Sequence, residues 1–403
     1  MTFDPGALRA DFPPLGAGGA KPPIYFDNAC MSLRPQSVID AITAYYTEHP
    51  SCHKRAVHSF GRKTSERFED ARETIRRFVN AQSTKEIIFT RNATEGMNIL
   101  ANALALRQGD VVVTTDLEHN SNTVPWKVLE KTTGIKHRRV PIPPDGTVDL
   151  NLFKEAVRGA KVVSILSRSH VLGIGLPVKE IATLARAQGA QVIVDAAQSP
   201  LHEKIDVRDW DADFLVLSFH KMLGPSGMGM LYGKEALLER LPQFLTGGET
   251  VEDVDETSYI PSPLPYRFEA GLQDYAGAMG AAAAIRYLEE RVGDARGVQE
   301  ERLNALITEG LSGMSRFRLL GPKDPAARGS VINFYIDGID SGELSILLDK
   351  SENIMTRSGV HCAHAWFRKH GVTPSLRASL AFYNTESEAE IFVKTLKNVI
   401  DYF

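Results

Sequence analysis

The amino-acid sequence predicts an α/β protein in which a mostly parallel sheet is covered by helices on both faces. Between about residues 24 and 235, short apolar runs alternate with segments of helical periodicity, as is typical of strand–helix–strand units. The runs cover residues 87–89, 111–113, 162–166, 192–194 and 214–217. A chain of 403 residues is also long enough for a second, smaller domain.

Two helical segments indicate where this second domain begins and ends. A helical region that starts at Ala276 and runs towards Leu311 marks the passage from a large domain to a small one. Thr385 and Glu388 fit a capping box at the start of a terminal helix. We expect three parts: an arm of residues 1–23 that packs on the small domain, a large domain of residues 24–285, and a small domain of residues 286–403.

Two segments carry no clear helix or strand pattern. Residues 11–23 are rich in proline and glycine, so we expect neither helix nor strand there. Residues 247–268 are irregular and acidic and predict either a mobile loop or a subunit contact.

Composition excludes several classes of function. The net charge of −4 gives no electrostatic basis for a nucleic-acid partner. The N-terminal residues do not form a signal peptide, and no apolar window reaches the roughly 18 residues of a membrane span, so we expect a cytoplasmic protein without membrane association. The three cysteines, Cys30, Cys52 and Cys362, lack the spacing of a metal site and predict free thiols.

Polar side chains follow the predicted strands at the sheet edge where ligands of open parallel sheets bind. After residues 87–89, Thr94 lies near a helix start whose free N–H groups would suit a phosphate, although Thr94 as an ordinary N-cap is an equally good interpretation. After residues 111–113, His119 could stack on a flat ring, although a lone histidine is more often structural.

The next two strand ends add a carboxylate and an amine. Asp195 directly follows a buried strand and needs a cationic partner, because an unpaired buried carboxylate is costly. Ser218, His220 and Lys221 follow the fifth run, and a lysine held out of bulk water can form an imine with a carbonyl cofactor. Together, the phosphate seat, histidine, aspartate and lysine indicate pyridoxal phosphate, with Lys221 as the imine and Asp195 on the ring nitrogen.

Motifs along nearly the whole chain carry a family resemblance. They are Tyr25-Phe26-Asp27-Asn28-Ala29, Ala93-Thr94-Glu95-Gly96, Glu118-His119, Asp195-Ala196-Ala197-Gln198, Ser218-Phe219-His220-Lys221, Arg267-Phe268-Glu269-Ala270-Gly271 and Arg377-Ala378-Ser379. In order and spacing the sequence resembles the class V branch of the fold type I pyridoxal phosphate enzymes, specifically the SufS-like cysteine desulfurases. The resemblance implies a seven-stranded, mostly parallel sheet in the large domain and a smaller α+β C-terminal domain.

The resemblance also implies roles for individual residues. Lys221, Cys362 and His119 would be catalytic, and Asn28, Arg357 and Arg377 would bind the substrate. The residues that would bind the cofactor are Ala93, Thr94, His119, His170, Asp195, Gln198, Ser218, His220 and Lys221. Among these, Asp195 would contact the pyridine nitrogen, Gln198 the ring oxygen, and Thr94, Ser218 and His220 the phosphate. No metal is implied.

The implied reaction converts L-cysteine to L-alanine and leaves a persulfide on Cys362, as a sulfur source for iron–sulfur clusters or other products. Six basic residues surround Cys362 in the sequence, and positive charge near a thiol favours the reactive thiolate; they are Arg357, His361, His364, Arg368, Lys369 and His370. A homodimer and a separate sulfur-acceptor protein are implied as partners. The alternatives are a related carbon–sulfur or selenocysteine lyase and an inactive scaffold.

The sequence departs from the family pattern at several positions. His170 stands where the family usually has asparagine, and we expect that it can still donate to the ring oxygen. Leu272 replaces a threonine that reaches the neighbouring subunit's phosphate, and Val360 replaces a histidine beside the reactive cysteine. Cys30 is either a second thiol at the mouth of the site or a small buried filler, and neither it nor Cys52 is expected to be catalytic.

Overall fold

The computed structural model describes residues 4–16 and 22–401. Its strands are β1 (Ile24–Tyr25), β2 (Ile87–Thr90), β3 (Val111–Thr115), β4 (Lys136–Val140), β5 (Ala160–Leu166), β6 (Gln191–Asp195), β7 (Phe214–Ser218), β8 (Gly229–Gly233), β9 (Val251–Val254), β10 (Tyr259–Pro261), β11 (Phe317–Leu320), β12 (Val331–Ile336), β13 (Ile354–Met355), β14 (Arg357–Gly359) and β15 (Ser375–Ser379). Its α-helices are α1 (Pro5–Leu8), α2 (Pro13–Gly16), α3 (Gln36–Glu48), α4 (Ser59–Phe78), α5 (Ala93–Ala103), α6 (Val124–Thr132), α7 (Leu150–Ala156), α8 (Val178–Arg186), α9 (Glu235–Leu238), α10 (Tyr275–Tyr287), α11 (Arg296–Leu311), α12 (Pro325–Arg328), α13 (Ser341–Glu352), α14 (His364–His370) and α15 (Glu386–Ile400).

The large sheet has seven strands in the order β2-β8-β7-β6-β5-β3-β4. Strand β8 runs antiparallel to both of its neighbours, and the other strand pairs are parallel. Successive residues of β6 enter different cores, since Val192 and Val194 pack on one face and Ile193 packs on the other. The predicted mostly parallel sheet with both faces covered is therefore confirmed.

The sequence pattern did not predict two strands of this sheet. Strand β4 lies at the edge, and its lysine and arginines are exposed, so it lacks an apolar run. Strand β8 is bounded by glycines, which weaken strand propensity. Gly229 is required by packing, because a Cβ there would lie 2.5 Å from the Cα of Asn92 at the start of α5.

The C-terminal part contains an antiparallel sheet in the order β11-β12-β15-β14, which shares one apolar core with α11, α13 and α15. Helix α15 begins at the predicted capping box of Thr385 and Glu388. Strand β1, which the predicted boundaries assign to the large domain, pairs with β13, and Phe26 joins the core of the C-terminal part. The domain boundaries otherwise stay a prediction.

The N-terminal arm contains more helix than we expected. Within the described residues it forms α1 and the single turn of α2, because proline is well tolerated in the first turn of a helix. Phe12 between them is fully buried, and its ring centroid lies 4.6 Å from that of Tyr383 and 6.0 Å from that of Phe382. Residues 1–3 and 17–21 of the predicted arm, like residues 402–403, lie outside the described residues.

The irregular acidic segment contains the hairpin β9–β10. The Asp255 carboxylate closes its turn, since it accepts hydrogen bonds from the backbone N–H groups of Thr257 and Ser258 at 2.7 and 2.8 Å. These bonds lower the pKa of Asp255 to about 2. Val254, Tyr259 and Ile260 leave apolar surface exposed on the hairpin.

The helical region after Ala276 is interrupted between α10 and α11 by a π-helical turn over Leu288–Val292 and by Gly293, whose φ is +59°. In the part of the chain that the structure describes, no helix combines the length and apolar character needed to cross a membrane.

A buried ion pair connects α4, β2 and the segment before α10. Arg72 donates to the two carboxylate oxygens of Glu269 at 2.7 and 3.0 Å, and Glu269 also accepts from the Phe89 amide at 2.7 Å. We expect Glu269→Ala to lower the free energy of unfolding by about 3–5 kcal/mol, because the buried Arg72 would lose its bidentate partner and keep only the partly exposed Glu69, at 3.2 Å, as a counter-charge. Urea unfolding checks this. The exposed Glu239, which pairs with Arg267 at 3.2 Å, is the control, and Glu239→Ala should cost no more than about 1 kcal/mol. Equal losses in the two variants would contradict the prediction.

Candidate active site

A cavity of about 450 Å³ lies at the edge of the large sheet where β5, β6 and β7 end. Twelve of the residues singled out from the sequence line it: Ala93, Thr94, His119, His170, Asp195, Gln198, Ser218, His220, Lys221, Arg357, Cys362 and Arg377. The strand ends converge there because parallel strands terminate at the same edge.

Lys221 and Asp195 form the charged centre of the cavity. Lys221 ends a 3₁₀ turn directly after β7, and Asp195 is the last residue of the buried β6. Burial lowers the pKa of Lys221, and the nearby Asp195 carboxylate opposes this shift. Burial also raises the pKa of Asp195, against the effect of Lys221. A lysine with reduced proton affinity is a better nucleophile.

One end of the cavity suits an anion. Asn92, rather than Thr94, caps helix α5, so the interpretation of Thr94 as an ordinary N-cap is wrong. The Ala93 amide donates to the Ser218 hydroxyl at 2.8 Å, whereas the Thr94 amide has no protein acceptor among the described residues. His220 lies nearby, and burial lowers its pKa to about 4. The free amide at the start of α5, with the neighbouring hydroxyls, gives a phosphate-sized anion several donors.

His119 has a defined tautomer. Its Nδ1 accepts from the Ser121 amide at 3.1 Å and lies 2.9 Å from the Ser121 hydroxyl, which in turn lies 2.6 Å from the Thr94 hydroxyl. Burial, followed by the charges of Lys221 and Arg377, lowers the pKa of His119 to about 3. The ring is therefore neutral near pH 7, with its hydrogen on Nε2.

The ring of His170 faces the turn that carries Cys362, whereas from the sequence we expected a donor to the cofactor ring oxygen. Its Nε2 lies 2.8 Å from the backbone carbonyl of His361 and must donate to it, because a carbonyl only accepts. Burial lowers the pKa of His170 well below its usual value, so the ring is neutral and its Nδ1 carries a lone pair. A ring in this state cannot donate to a cofactor oxygen.

Two arginines on neighbouring strands form a cationic wall. Arg357 on β14 pairs in register with Arg377 on β15, and both bind Asp27. Arg357 holds Asp27 at 2.8–3.1 Å, and the nearest nitrogen of Arg377 lies at 3.4 Å. The three groups carry one net positive charge, which suits the carboxylate of a small substrate. Arg357 also donates to the Cys30 sulfur at 2.8 Å.

Cys362 is exposed and lies in the short turn between β14 and α14. Several of the basic residues that were predicted to surround the Cys362 thiol are instead bound to other groups. Lys369 and His370 bind Asp116 at 2.7 and 3.0 Å. His361 is buried against Ser375. All three cysteines are free, as predicted, and Cys30 lines the cavity as well.

Asn28 does not line the cavity, so its contacts do not support the predicted role in substrate binding. Its side-chain amide donates to the Ser379 carbonyl at 2.8 Å, and its oxygen accepts from the Tyr383 hydroxyl. Asn28 therefore connects the N-terminal segment to the strand and loop at the end of the chain.

Sequence reasoning missed Asp27 and Ser121. Asp27 stands in a motif that we used for the resemblance, but it is distant in sequence from the two arginines that it pairs. Ser121 was detectable in principle, because a hydroxyl two residues after His119 can reach the Nδ1 of that ring.

The buried carboxyl of Glu118, which precedes His119 in the chain, makes stability depend on pH. Glu118 accepts from the Thr115 hydroxyl at 2.7 Å and from the Asn122 amide at 2.8 Å, and burial raises its pKa to about 8. Because the folded pKa lies above the ordinary value, this group stabilises the fold fully below about pH 4.5 and loses that effect as the pH rises through 8.

We therefore expect the parent protein to lose a few kcal/mol of unfolding free energy relative to Glu118→Gln between pH 5 and pH 9, because the glutamine does not ionise. Urea unfolding at pH 5, 7 and 9 measures the difference. The exposed Glu66→Gln serves as the control, and the prediction is wrong if the Glu118→Gln and parent curves stay parallel.

The fold and the cavity together define a class of protein. It is an α/β enzyme with a lysine, a carboxylate and an anion-binding helix start at the ends of the large-sheet strands, and a thiol in the same cavity. Comparison with known proteins identifies the family. The model of the class V aminotransferases matches residues 24–392, and the chain belongs to this family. The family predicted from the sequence is therefore confirmed.

Curated relatives cover essentially the whole chain. A probable cysteine desulfurase of Vibrio cholerae is 36% identical over 100% of both chains. A cysteine desulfurase of Synechococcus elongatus is 37% identical over 99% of this chain, which spans 64% of the length of that relative.

Solved structures agree in fold. An apo cysteine desulfurase of Thermococcus onnurineus has a TM-score of 0.94 at 34% identity, with 98% of each chain covered. A cysteine desulfurase of Escherichia coli, solved in its S-sulfonic acid form, has a TM-score of 0.91 at 30% identity over the full length of both chains.

Proposed function

We propose that this protein is a pyridoxal-phosphate-dependent cysteine desulfurase, which converts L-cysteine to L-alanine and transfers the sulfur to Cys362 as a persulfide. The observation that carries the proposal is that Lys221 and Cys362, which are distant in sequence, line one cavity. The names of the full-length relatives support the same activity.

The donor set of the cavity fits pyridoxal phosphate. The Asp195 carboxyl accepts one hydrogen bond within the described residues, from the Ala197 amide at 3.0 Å. A protonated pyridine nitrogen would donate a second hydrogen bond and neutralise the carboxylate charge. Lys221 would hold the cofactor through Nζ, and Gln198 would contact the ring oxygen. The phosphate would bind at the start of α5, where the candidate residues are Ala93, Thr94, Ser218 and His220.

When bound, pyridoxal phosphate supplies an electron sink for the bonds at the α-carbon of an amino acid. Arg357 and Arg377 would orient the substrate carboxylate beside it. The lowered pKa of Lys221 suits an amine that takes a proton from the α-carbon and returns it. His119 would keep a hydrogen on Nε2, available to the reacting groups.

Cys362 would take the sulfur as a thiolate. Its Sγ attacks the substrate sulfur, an S–S bond forms and the C–S bond of the substrate breaks. The carbon that loses sulfur gains a proton, so one thiol and one L-cysteine become one persulfide and one L-alanine. No external oxidant is needed.

The products of the purified protein test the proposal. With pyridoxal phosphate, L-cysteine and a reductant, we expect L-alanine and sulfide in a one-to-one ratio. Pyruvate with ammonia would instead indicate a carbon–sulfur lyase, and a protein that stays colourless with added pyridoxal phosphate would indicate a scaffold.

The proposal extends to the cellular setting. We propose a homodimer, supported by the exposed apolar residues of the hairpin β9–β10, and a separate sulfur-acceptor protein, in a pathway such as iron–sulfur cluster assembly. Three free thiols support a cytoplasmic location, because disulfides are rare there.

A further inference from the structure

The turn that carries Cys362 has a strained backbone. His361 and Cys362 have φ values of +46° and +56°, so two consecutive residues with side chains adopt the left-handed conformation. This conformation costs roughly 1–2 kcal/mol per residue and persists where surrounding contacts hold it. The contacts that hold these two residues therefore determine where the thiol points.

Both carbonyls of the strained pair are held from the large-sheet side of the cavity. The His361 carbonyl accepts from the His170 Nε2–H, and the Cys362 carbonyl accepts from the Asn120 amide, each at 2.8 Å. Asn120 makes a backbone contact that any residue except proline could provide. The His170 contact depends on its side chain.

His170 is placed to act on more than the turn. It is buried, with 5% of its surface exposed, whereas Cys362 is exposed. Its own carbonyl accepts from Arg377 at 2.9 Å, and its ring lies edge-on to that of His119 at 5.1 Å. One buried residue thus contacts the thiol turn, a substrate-facing arginine and the neutral histidine.

We propose that His170 is a positioning residue for Cys362, because its Nε2–H holds the His361 carbonyl and thereby fixes the strained turn. This assignment differs from the cofactor contact that we expected at the same position from the sequence. It rests on the proposed function in that Cys362 is taken as the sulfur acceptor.

Two variants of the holoenzyme separate the two roles. Glutamine at position 170 carries an N–H group about as far from the backbone as the imidazole Nε2, whereas asparagine is one bond shorter. In His170→Asn we expect iodoacetamide to alkylate Cys362 about threefold to tenfold faster, since losing one buried hydrogen bond loosens the turn. Alanine formation should fall about tenfold in kcat, with KM and cofactor absorbance unchanged, and His170→Gln should restore both rates.

Peptide mass spectrometry of the alkylated protein gives the reactivity of Cys362 independently of turnover. An unchanged alkylation rate in His170→Asn would overturn the proposal, and loss of cofactor absorbance with unchanged alkylation would assign His170 to the cofactor instead. If neither the parent nor any variant forms alanine, the proposed function fails. The alkylation rates would still decide the role of His170.

Discussion

Replacement of Lys221 by alanine is expected to reduce alanine formation from L-cysteine by at least 10²–10⁴-fold, because in the proposed function Lys221 is both the covalent anchor of the cofactor and the group that moves protons. The visible absorbance of lysine-bound pyridoxal phosphate should disappear with it. Both effects arise at one atom, Nζ, whose proton affinity is already reduced by burial in the cavity.

Absorbance spectra and alanine assays of the parent and variant measure these effects. Lys161→Ala is the control, because Lys161 is exposed at the start of β5 and should leave both readouts unchanged. If Lys221→Ala kept the visible absorbance and turned over cysteine, another residue would have to hold the cofactor.

Replacement of Cys362 by alanine is expected to reduce alanine formation by about 10²-fold or more while the cofactor absorbance is retained. L-Cysteine would still bind beside the cofactor in this variant, but the thiolate of Cys362 would no longer be present to accept the sulfur. The assay contains a reductant, so that the persulfide of the parent is cleared in each turnover.

The other two cysteines supply matched controls. Cys52 is exposed and does not line the cavity, so Cys52→Ala should match the parent. Cys30 lines the cavity beside Arg357, so adding Cys30→Ala to Cys362→Ala tests whether a second thiol in the same space can replace Cys362. Unchanged alanine formation in Cys362→Ala would rule out Cys362 as the essential acceptor, and unchanged formation in the double variant would contradict the persulfide route.

Much of the site could be predicted because it is built at strand ends. The carboxyl ends of parallel strands meet at one edge, so residues such as Asp195 and Lys221, which directly follow apolar runs, were expected to converge. The apolar runs also located the central strands β5, β6 and β7, although not their order in the sheet. They could not locate β4, whose exposed polar side chains leave no pattern to detect.

Contacts between distant segments could not be predicted. Asp27 pairs with Arg357 and Arg377 only because the N-terminal segment runs alongside the C-terminal sheet, where Asp27 forms an isolated bridge with Ser379. The same arrangement buries Asn28 in polar contacts outside the cavity. Residue type alone also could not show which ring nitrogen of His170 is used, because that depends on the position of the His361 carbonyl.

The docking of α14 limits how far the sulfur of Cys362 can travel. The turn from Gly359 to His364 is anchored at one end by β14 and at the other by Asp116, which binds Lys369 and His370. Trp366 adds a bond to the Ile142 carbonyl at 2.7 Å. Fully stretched, four intervening residues span only about 14 Å, so the thiol cannot swing far from the surface as a carrier arm would. An acceptor of its sulfur would have to bring its own reactive group to the cavity.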